Sequence, residues 1–314
     1  MSLRPRRAQP RPAWLAAVSR WGAIGAALVA TAGPADAGQV VVIRSRPLAP
    51  YDAAISGFER AYRDPVTRFT VPDSGADELG DRIAALRPDA IVAVGLRAAQ
   101  FARQRFPRTP LVYCVVQDPE RHDLGGVWVT GVSTGIPPAV ELTMLRTAAP
   151  DVRRVAVFYG RATGTMFARA ARQAAKELNI ELIEVALNDL SELAARAREA
   201  ARHADALWMP ADPTIAAPEP FQFLLSLSLD TRKPLFSFSA DLVRAGALAA
   251  VIPDYGAAGA QAAEAVRRIQ SGERAGDIPP ANVRRTRLVL NATTARALGR
   301  DVPLAARRDG EVLP

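Results

Sequence analysis

The sequence predicts an α/β fold made of two doubly wound parallel-sheet lobes joined by a hinge. Three observations lead there. Continuously apolar, β-branched runs alternate with helical stretches from residue 40 onward, which is the signature of βαβ units with strands buried on both faces. The same alternation restarts after the glycine-rich segment Gly125–Gly135, as expected of a second lobe. The chain has 314 residues, of which 49% are hydrophobic, enough for two domains with cores of their own.

In chain order, Val40–Ser45 is a strand, followed by a helix through Ile55, Phe58 and Tyr62. Arg68–Val71 is a short strand and Glu78–Leu86 a helix. Ala90–Val94 is a strand that stops at Gly95 and leads into the helix Ala98–Arg105. Leu111–Val116 is the next strand and ends at Gln117-Asp118-Pro119. The segment Gly125–Gly135 is expected to cross between lobes. Pro138–Thr147 is a helix with its proline in the first turn, where the missing N–H costs nothing. Val155–Tyr159 is a strand, Met166–Leu178 a helix and Ile180–Val185 a strand. Asp189 and Glu192 form a capping box that opens a helix reaching Ala201. Ala204–Met209, Pro234–Phe238 and Ala247–Ile252 are strands, Gly256–Gln270 is a long helix, and the strand Arg287–Leu290 and a short helix ending at Gly299 close the pattern.

Composition excludes several classes of function. The net charge of +8 is weighted toward residues 1–37, which hold five arginines against the single acid Asp36. The remaining charges are interspersed and form no basic stripe with interleaved aromatics, so nucleic acid is not a partner this sequence supports. One cysteine (Cys114) and two histidines (His122, His203) offer neither a disulfide framework nor a metal centre, and no cofactor is implied. Residues 1–37 combine a basic start, an apolar run from Trp21 to Gly33 and a small-x-small site, Ala35-Asp36-Ala37. This reads as a secretory signal peptide cleaved after Ala37, which places the mature chain in the periplasm.

No phosphate-binding loop and no nucleophile elbow occurs, so an enzyme lacks its usual parts. In doubly wound sheets, ligands bind beyond the carboxyl ends of strands, where loops meet helix N-termini. Those ends carry Ser45, Tyr51, Gly95, Gln117, Thr163, Thr165, Asp212, Phe238 and Asp254. Two readings stay open for Tyr51 and Phe238, stacking on a ligand or packing in the core. Asp212 and Asp254 are either ligand groups or helix N-caps.

Pro88–Gly95 (PDAIVAVG), Val115–Pro119, Val129–Ser133 (VTGVS), Leu142–Pro150 and Arg154–Val157 resemble, in order and spacing, the bacterial ABC-transporter substrate-binding proteins typified by tryptophan/tyrosine-binding lipoproteins. Ile278-Pro279, Leu288–Asn291, Ala295–Gly299 and Val302-Pro303 resemble that family's closing segment. The resemblance implies a type I periplasmic-binding-protein fold with three crossovers. It divides the mature chain into residues 38–133 with 240–271, and residues 134–239 with 272–314. It also implies capture of a small solute, often an amino acid, for delivery to an ABC permease. Ser45, Tyr51, Gly95, Gln117 and Asp254 would then face Thr163, Thr165, Asp212 and Phe238 across the cleft. The loop His122–Trp128 departs from the family pattern, and its Val127-Trp128 bears on ligand identity. A periplasmic sensor for a membrane signalling partner has the same fold and stays open as an alternative.

Overall fold

The computed structural model describes residues 39–161 and 164–314; the expected signal peptide and Thr163 lie outside the described residues. The first lobe begins with β1 (Val40–Arg44), α1 (Ala49–Tyr62), β2 (Val66–Thr70), α2 (Ala76–Ala85), β3 (Ala90–Val94), α3 (Leu96–Arg105), β4 (Leu111–Val116) and β5 (Val129–Ser133). The second follows with α4 (Pro138–Ala148), β6 (Arg154–Gly160), α5 (Thr165–Glu177), β7 (Glu181–Leu187), α6 (Leu193–His203), β8 (Ala206–Trp208), α7 (Pro218–Thr231), β9 (Leu235–Ser237), α8 (Ala240–Arg244) and β10 (Ala249–Pro253). The chain then returns to the first lobe with α9 (Tyr255–Gln270) and β11 (Ala281–Asn282). It ends in the second with β12 (Thr286–Asn291), α10 (Ala292–Ala297), α11 (Leu304–Asp309) and β13 (Gly310–Leu313).

The six-stranded sheet runs β11-β5-β4-β3-β1-β2 and the seven-stranded sheet β13-β12-β10-β9-β8-β6-β7. All pairs are parallel except β10 with β12. Both sheets therefore share one winding, in which strand order reverses between β1 and β3 and again between β6 and β8. Such a reversal leaves a crevice beyond the strand ends, because the helices that follow the two strands lie on opposite faces. β1 and β3 are level, with Val40 opposite Ala90 and Arg44 opposite Val94, so Ser45 and Gly95 emerge side by side.

Each sheet is covered on both faces, which explains the unbroken apolar runs. Val40, Val42, Phe58 and Val92 pack with Ala258, Ala262 and Val266 of α9 on one face of the first sheet. Val41, Ile43, Ile83, Ala98 and Tyr113 fill the other. In the second lobe Leu142, Val155, Trp208 and Leu290 share one cluster, and Phe158, Leu207, Phe221 and Leu224 another.

The observed crossovers depart from the sequence reading in three places. Gly125–Gly135 was expected to span the lobes, but Val129–Ser133 is the buried strand β5. A β-carbon on Gly131 would lie 2.4 Å from the Tyr113 ring, so this glycine permits close strand packing and is not a turn. Residues 240–253, expected in the first lobe, belong to the second, because β10 pairs with β9 and β12. The return begins at Asp254, and β11, expected in the second lobe, pairs with β5 of the first. α7 has no counterpart in the sequence reading: Pro218-Glu219-Pro220 looks like a loop, yet prolines fit a first helical turn. The chain also continues past Gly299 through α11 to β13, which pairs with β12.

α1 and α9 meet backbone to backbone. A β-carbon on Gly259 would lie 1.8 Å from the Ala54 carbonyl oxygen, and one on Gly57 would lie 2.1 Å from that of Gly256. In an unconstrained helix, alanine in place of glycine stabilises by about 0.5–1 kcal/mol. Here Gly259→Ala is expected to reverse that sign and destabilise by about 1–3 kcal/mol through overpacking. Denaturant melts of the variant and the parent protein read the difference directly, and a rise in stability would refute the contact.

Candidate functional site

At the first reversal, Ser45 is buried and its hydroxyl joins two elements. Oγ donates to the Val94 carbonyl (3.1 Å) and accepts the Ala98 N–H (3.0 Å). Ser45 thus satisfies an orphan amide of the α3 N-terminus from the neighbouring strand, a task that Gly95 lacks the side chain to perform. Gly95 has φ of 89°, and a β-carbon there would lie 2.6 Å from Ser45 Oγ and 2.7 Å from Tyr51 Cζ. Ser45, Tyr51 and Gly95 therefore form one cluster, with the buried Gly95 backbone packed directly beneath the Tyr51 ring. The N-termini of α1, α3 and α9 converge here, an environment favourable to an anionic group. Tyr255, at the first position of α9, lies near Tyr51, and burial pushes its hydroxyl above the ordinary tyrosine pKa.

Gln117 follows a break in β4. The register slips between Cys114 and Val116, and Val115 has φ of 57°, a conformation that β-branched residues rarely adopt. Such bulges re-aim the residues that follow. Gln117 is exposed on its own lobe and its Nε2 donates to the Ala211 carbonyl of the second lobe at 3.3 Å. The strand ends of the two lobes thus face one another.

At the second reversal, buried Asp212 Oδ1 accepts the Gly160 N–H at 3.1 Å and the Thr214 N–H at 2.9 Å. It braces the loop after β8 against the end of β6. Thr165 is exposed at the start of α5. Phe238 packs against the cluster that contains Met209 and Phe221, on the core side. Asp254 is the N-cap of α9, accepting the Ala257 N–H at 2.9 Å, and it pairs with Arg285 at 3.3 Å. Its backbone N–H also donates to the Arg285 carbonyl at 2.9 Å, so it joins two crossovers. Val127 and Trp128, tied to ligand identity in the sequence reading, precede β5 and so lie at the opposite end of the strands from Ser45 and Gly95.

Three residues outside these candidates complete the region: Tyr255, Ala211 through its carbonyl, and Glu141. Glu141 lies in the first turn of α4, just after the first crossover, and is only 9% exposed. It lines a recess of about 10 Å³ with Leu145, Trp208, Phe236, Val251 and Leu288. Burial alone pushes its carboxyl up to about 8. Beside the recess, Phe167 bridges Tyr159 and Trp208, with ring centroids 6.0 and 5.2 Å apart. The Tyr159 hydroxyl donates to Glu184; burial first, then that bond, raise its pKa to about 12. The buried Cys114 thiol is likewise pushed up to about 12, away from reactivity. Among the described residues no cluster of His, Cys, Asp and Glu could hold a metal ion.

These contacts set two expectations. Asp212→Ala leaves buried amide donors without their acceptor and should cost about 1–3 kcal/mol in a denaturant melt. Asp212→Asn, which keeps an acceptor oxygen, should cost less. Glu141 has its folded pKa near 8 against an ordinary 4.5. The native state therefore holds a proton that the unfolded chain releases. The stability this confers is fully present below about pH 4.5 and is lost as pH rises through about 8. Glu141→Gln, which cannot ionise, should match the parent protein near pH 4.5 and exceed it in Tm at pH 8. Identical pH profiles would contradict the buried, unpaired carboxyl.

Residues 77–304 match the family described as ABC transporter substrate binding protein. A tyrosine-binding protein of Clostridioides difficile is 24% identical over 220 residues, which cover 68% of this chain and 63% of that protein. The chain thus spans less than two thirds of the length of this curated relative. Among solved structures, an ABC domain from Streptococcus pneumoniae in complex with L-Trp superposes with a TM-score of 0.61 at 20% identity, covering 88% of this chain and 99% of the other. A ligand-free, open substrate-binding protein with adhesive properties from Clostridium difficile gives a TM-score of 0.71, also at 20% identity and with the same coverage. At such identity the likeness is one of fold, and the fold agrees with the topology above: two like-wound α/β lobes, crossed three times, with their strand ends opposed. The chain belongs to the ABC transporter substrate binding protein family and has the type I periplasmic-binding-protein fold.

Proposed function

We propose that this chain is the solute-capturing component of an ABC importer, holding a small amino-acid-like molecule between its lobes and presenting it to a membrane permease. The observation that carries this reading is the opposition of two sheet reversals across one cleft. One carries the Tyr51 ring over Ser45 and Gly95, the other the loop braced by Asp212, and Gln117 at the end of the neighbouring strand β4 reaches across to that loop. A solute that touches both lobes at once favours the closed arrangement by the difference in contact free energy. The chemistry is binding without turnover. The leader expected in residues 1–37 is removed on export, and the mature chain works in the periplasm. An aromatic amino acid as cargo is supported by the tyrosine-binding relative and by the L-Trp complex of similar fold.

Melting temperatures of the purified protein against a panel of amino acids, short peptides, nucleosides and sugars test the proposal. A solute at about 100 times its Kd adds about 2.7 kcal/mol, a shift of several degrees for lobes of this size. One class of solute is expected to give a saturable shift, and Tyr51→Ala is expected to weaken that solute at least tenfold without lowering the Tm of the free protein by more than a few degrees. A panel without any shift would refute solute capture. An unchanged affinity in Tyr51→Ala would move the site away from the first reversal.

A further inference from the structure

We propose that Glu141 receives the positively charged amine of the captured solute, so that the second lobe recognises amine-bearing molecules. The inference rests on the solute-capture reading and adds the chemistry by which one end of the solute is chosen. Glu141 is more than nine-tenths buried, yet its carboxylate has no hydrogen-bonding or ionic partner among the described residues. Two other carboxylates near the cleft are engaged: Asp212 by two backbone amides, and Asp254 by a helix amide and Arg285. The remaining groups that line its recess, on α4, β8, β9, β10 and β12, carry no charge. A buried carboxyl without a partner is unfavourable in the empty protein, and a partner cation offsets that cost.

The position of the recess fits this role. α4 starts at the first crossover and runs away from the cleft toward the start of β6, so its first turn lies at the cleft end. The recess lies against the ends of β8 and β9 and the middle of β10. Its volume of about 10 Å³ suits one water-sized group such as an ammonium, leaving the body of a solute in the cleft. Trp208 and Phe236 line the same space, and aromatic faces attract cations. The opposite lobe presents helix N-termini, which suit the carboxylate end of an amino acid.

Isothermal titration of the purified protein and of Glu141→Gln separates the outcomes. The probes are L-tyrosine and L-tryptophan, the amines tyramine and tryptamine, and the amine-free 3-(4-hydroxyphenyl)propionate and indole-3-propionate, followed by the full set of amino acids and a set of sugars. Amine-bearing solutes are expected to bind the parent protein at least tenfold more tightly than their amine-free counterparts. Glu141→Gln should remove that preference while leaving the weak binding of amine-free analogues unchanged, which a merely structural role would not do. Titrations near pH 7 in phosphate and in Tris should differ in heat, because the arriving cation expels the Glu141 proton to the buffer, and the difference should vanish in the variant. Equal affinity of the parent protein and Glu141→Gln for an amino acid would overturn the assignment and leave solute capture standing. Capture of amine-free solutes alone would do the same. If no solute binds the parent protein, the capture reading falls and the assignment with it.

Discussion

The backbone contact between α1 and α9 is the constraint on which the arrangement of the cleft depends. α9 reaches the first lobe only after the chain has built five strands of the second sheet, and the glycine-lined approach to α1 fixes where it docks. Once docked, it holds the crossovers. Its N-cap Asp254 grips Arg285, and Gln261 on its buried side donates to the Asn282 carbonyl (3.1 Å) and accepts the Arg284 N–H (2.8 Å). The Val283 N–H in turn donates to the Ser133 carbonyl at the end of β5. The three strands of chain that pass between lobes are thereby gathered at one edge, and the two strand reversals are left facing each other.

The two reversals use the same topology with different local chemistry. In the first lobe, side-chain volume is removed at Gly95 and the lost cap is supplied by Ser45, which lets the Tyr51 ring pack directly on the Gly95 backbone. In the second, a carboxylate is spent on bracing: Asp212 stitches the loop after β8 to Gly160. The bond between Gln117 and Ala211 depends on Val115, held at φ of 57° against its intrinsic preference. Backbone strain of this kind persists only where surrounding structure over-determines it, and here the buried neighbours Cys114 and Val116 do so.

Local pattern exposed most of the framework. The run Ala90–Val94 is buried along its whole length and Val40–Arg44 along all but its last residue, and the strand-end rule led to Ser45, Tyr51 and Gly95, which the fold brings into one cluster. Lobe membership was less legible. The apolar run of β10 would look the same in either sheet, because strand pairing is settled by distant partners. Gly131 reads as a turn unless Tyr113 is known to press on it. Even the box at Asp189 differs in detail: Asp189 accepts the Ser191 N–H, and Glu192 reaches the Asn188 amide, so a short 3-10 turn precedes α6. Glu141 was hidden for a related reason. An acid in the first helical turn is ordinary surface chemistry, and only the packing of α4 against the second sheet shows that water has been excluded from it.

The discontinuity of the first lobe also orders events during synthesis. Until residues 255–270 have been made, the face of the first sheet formed by Val40, Val42 and Val92 has α1 but not α9 to cover it, and the edge of β5 has no β11. Contacts between segments about 200 residues apart must close before that lobe is complete, and contacts so distant in sequence form slowly. The second sheet, built largely from one continuous stretch, can assemble first and serve as the template against which the first lobe is finished. A chain emerging from a ribosome would therefore remain unfinished at its own beginning until nearly all of it is made.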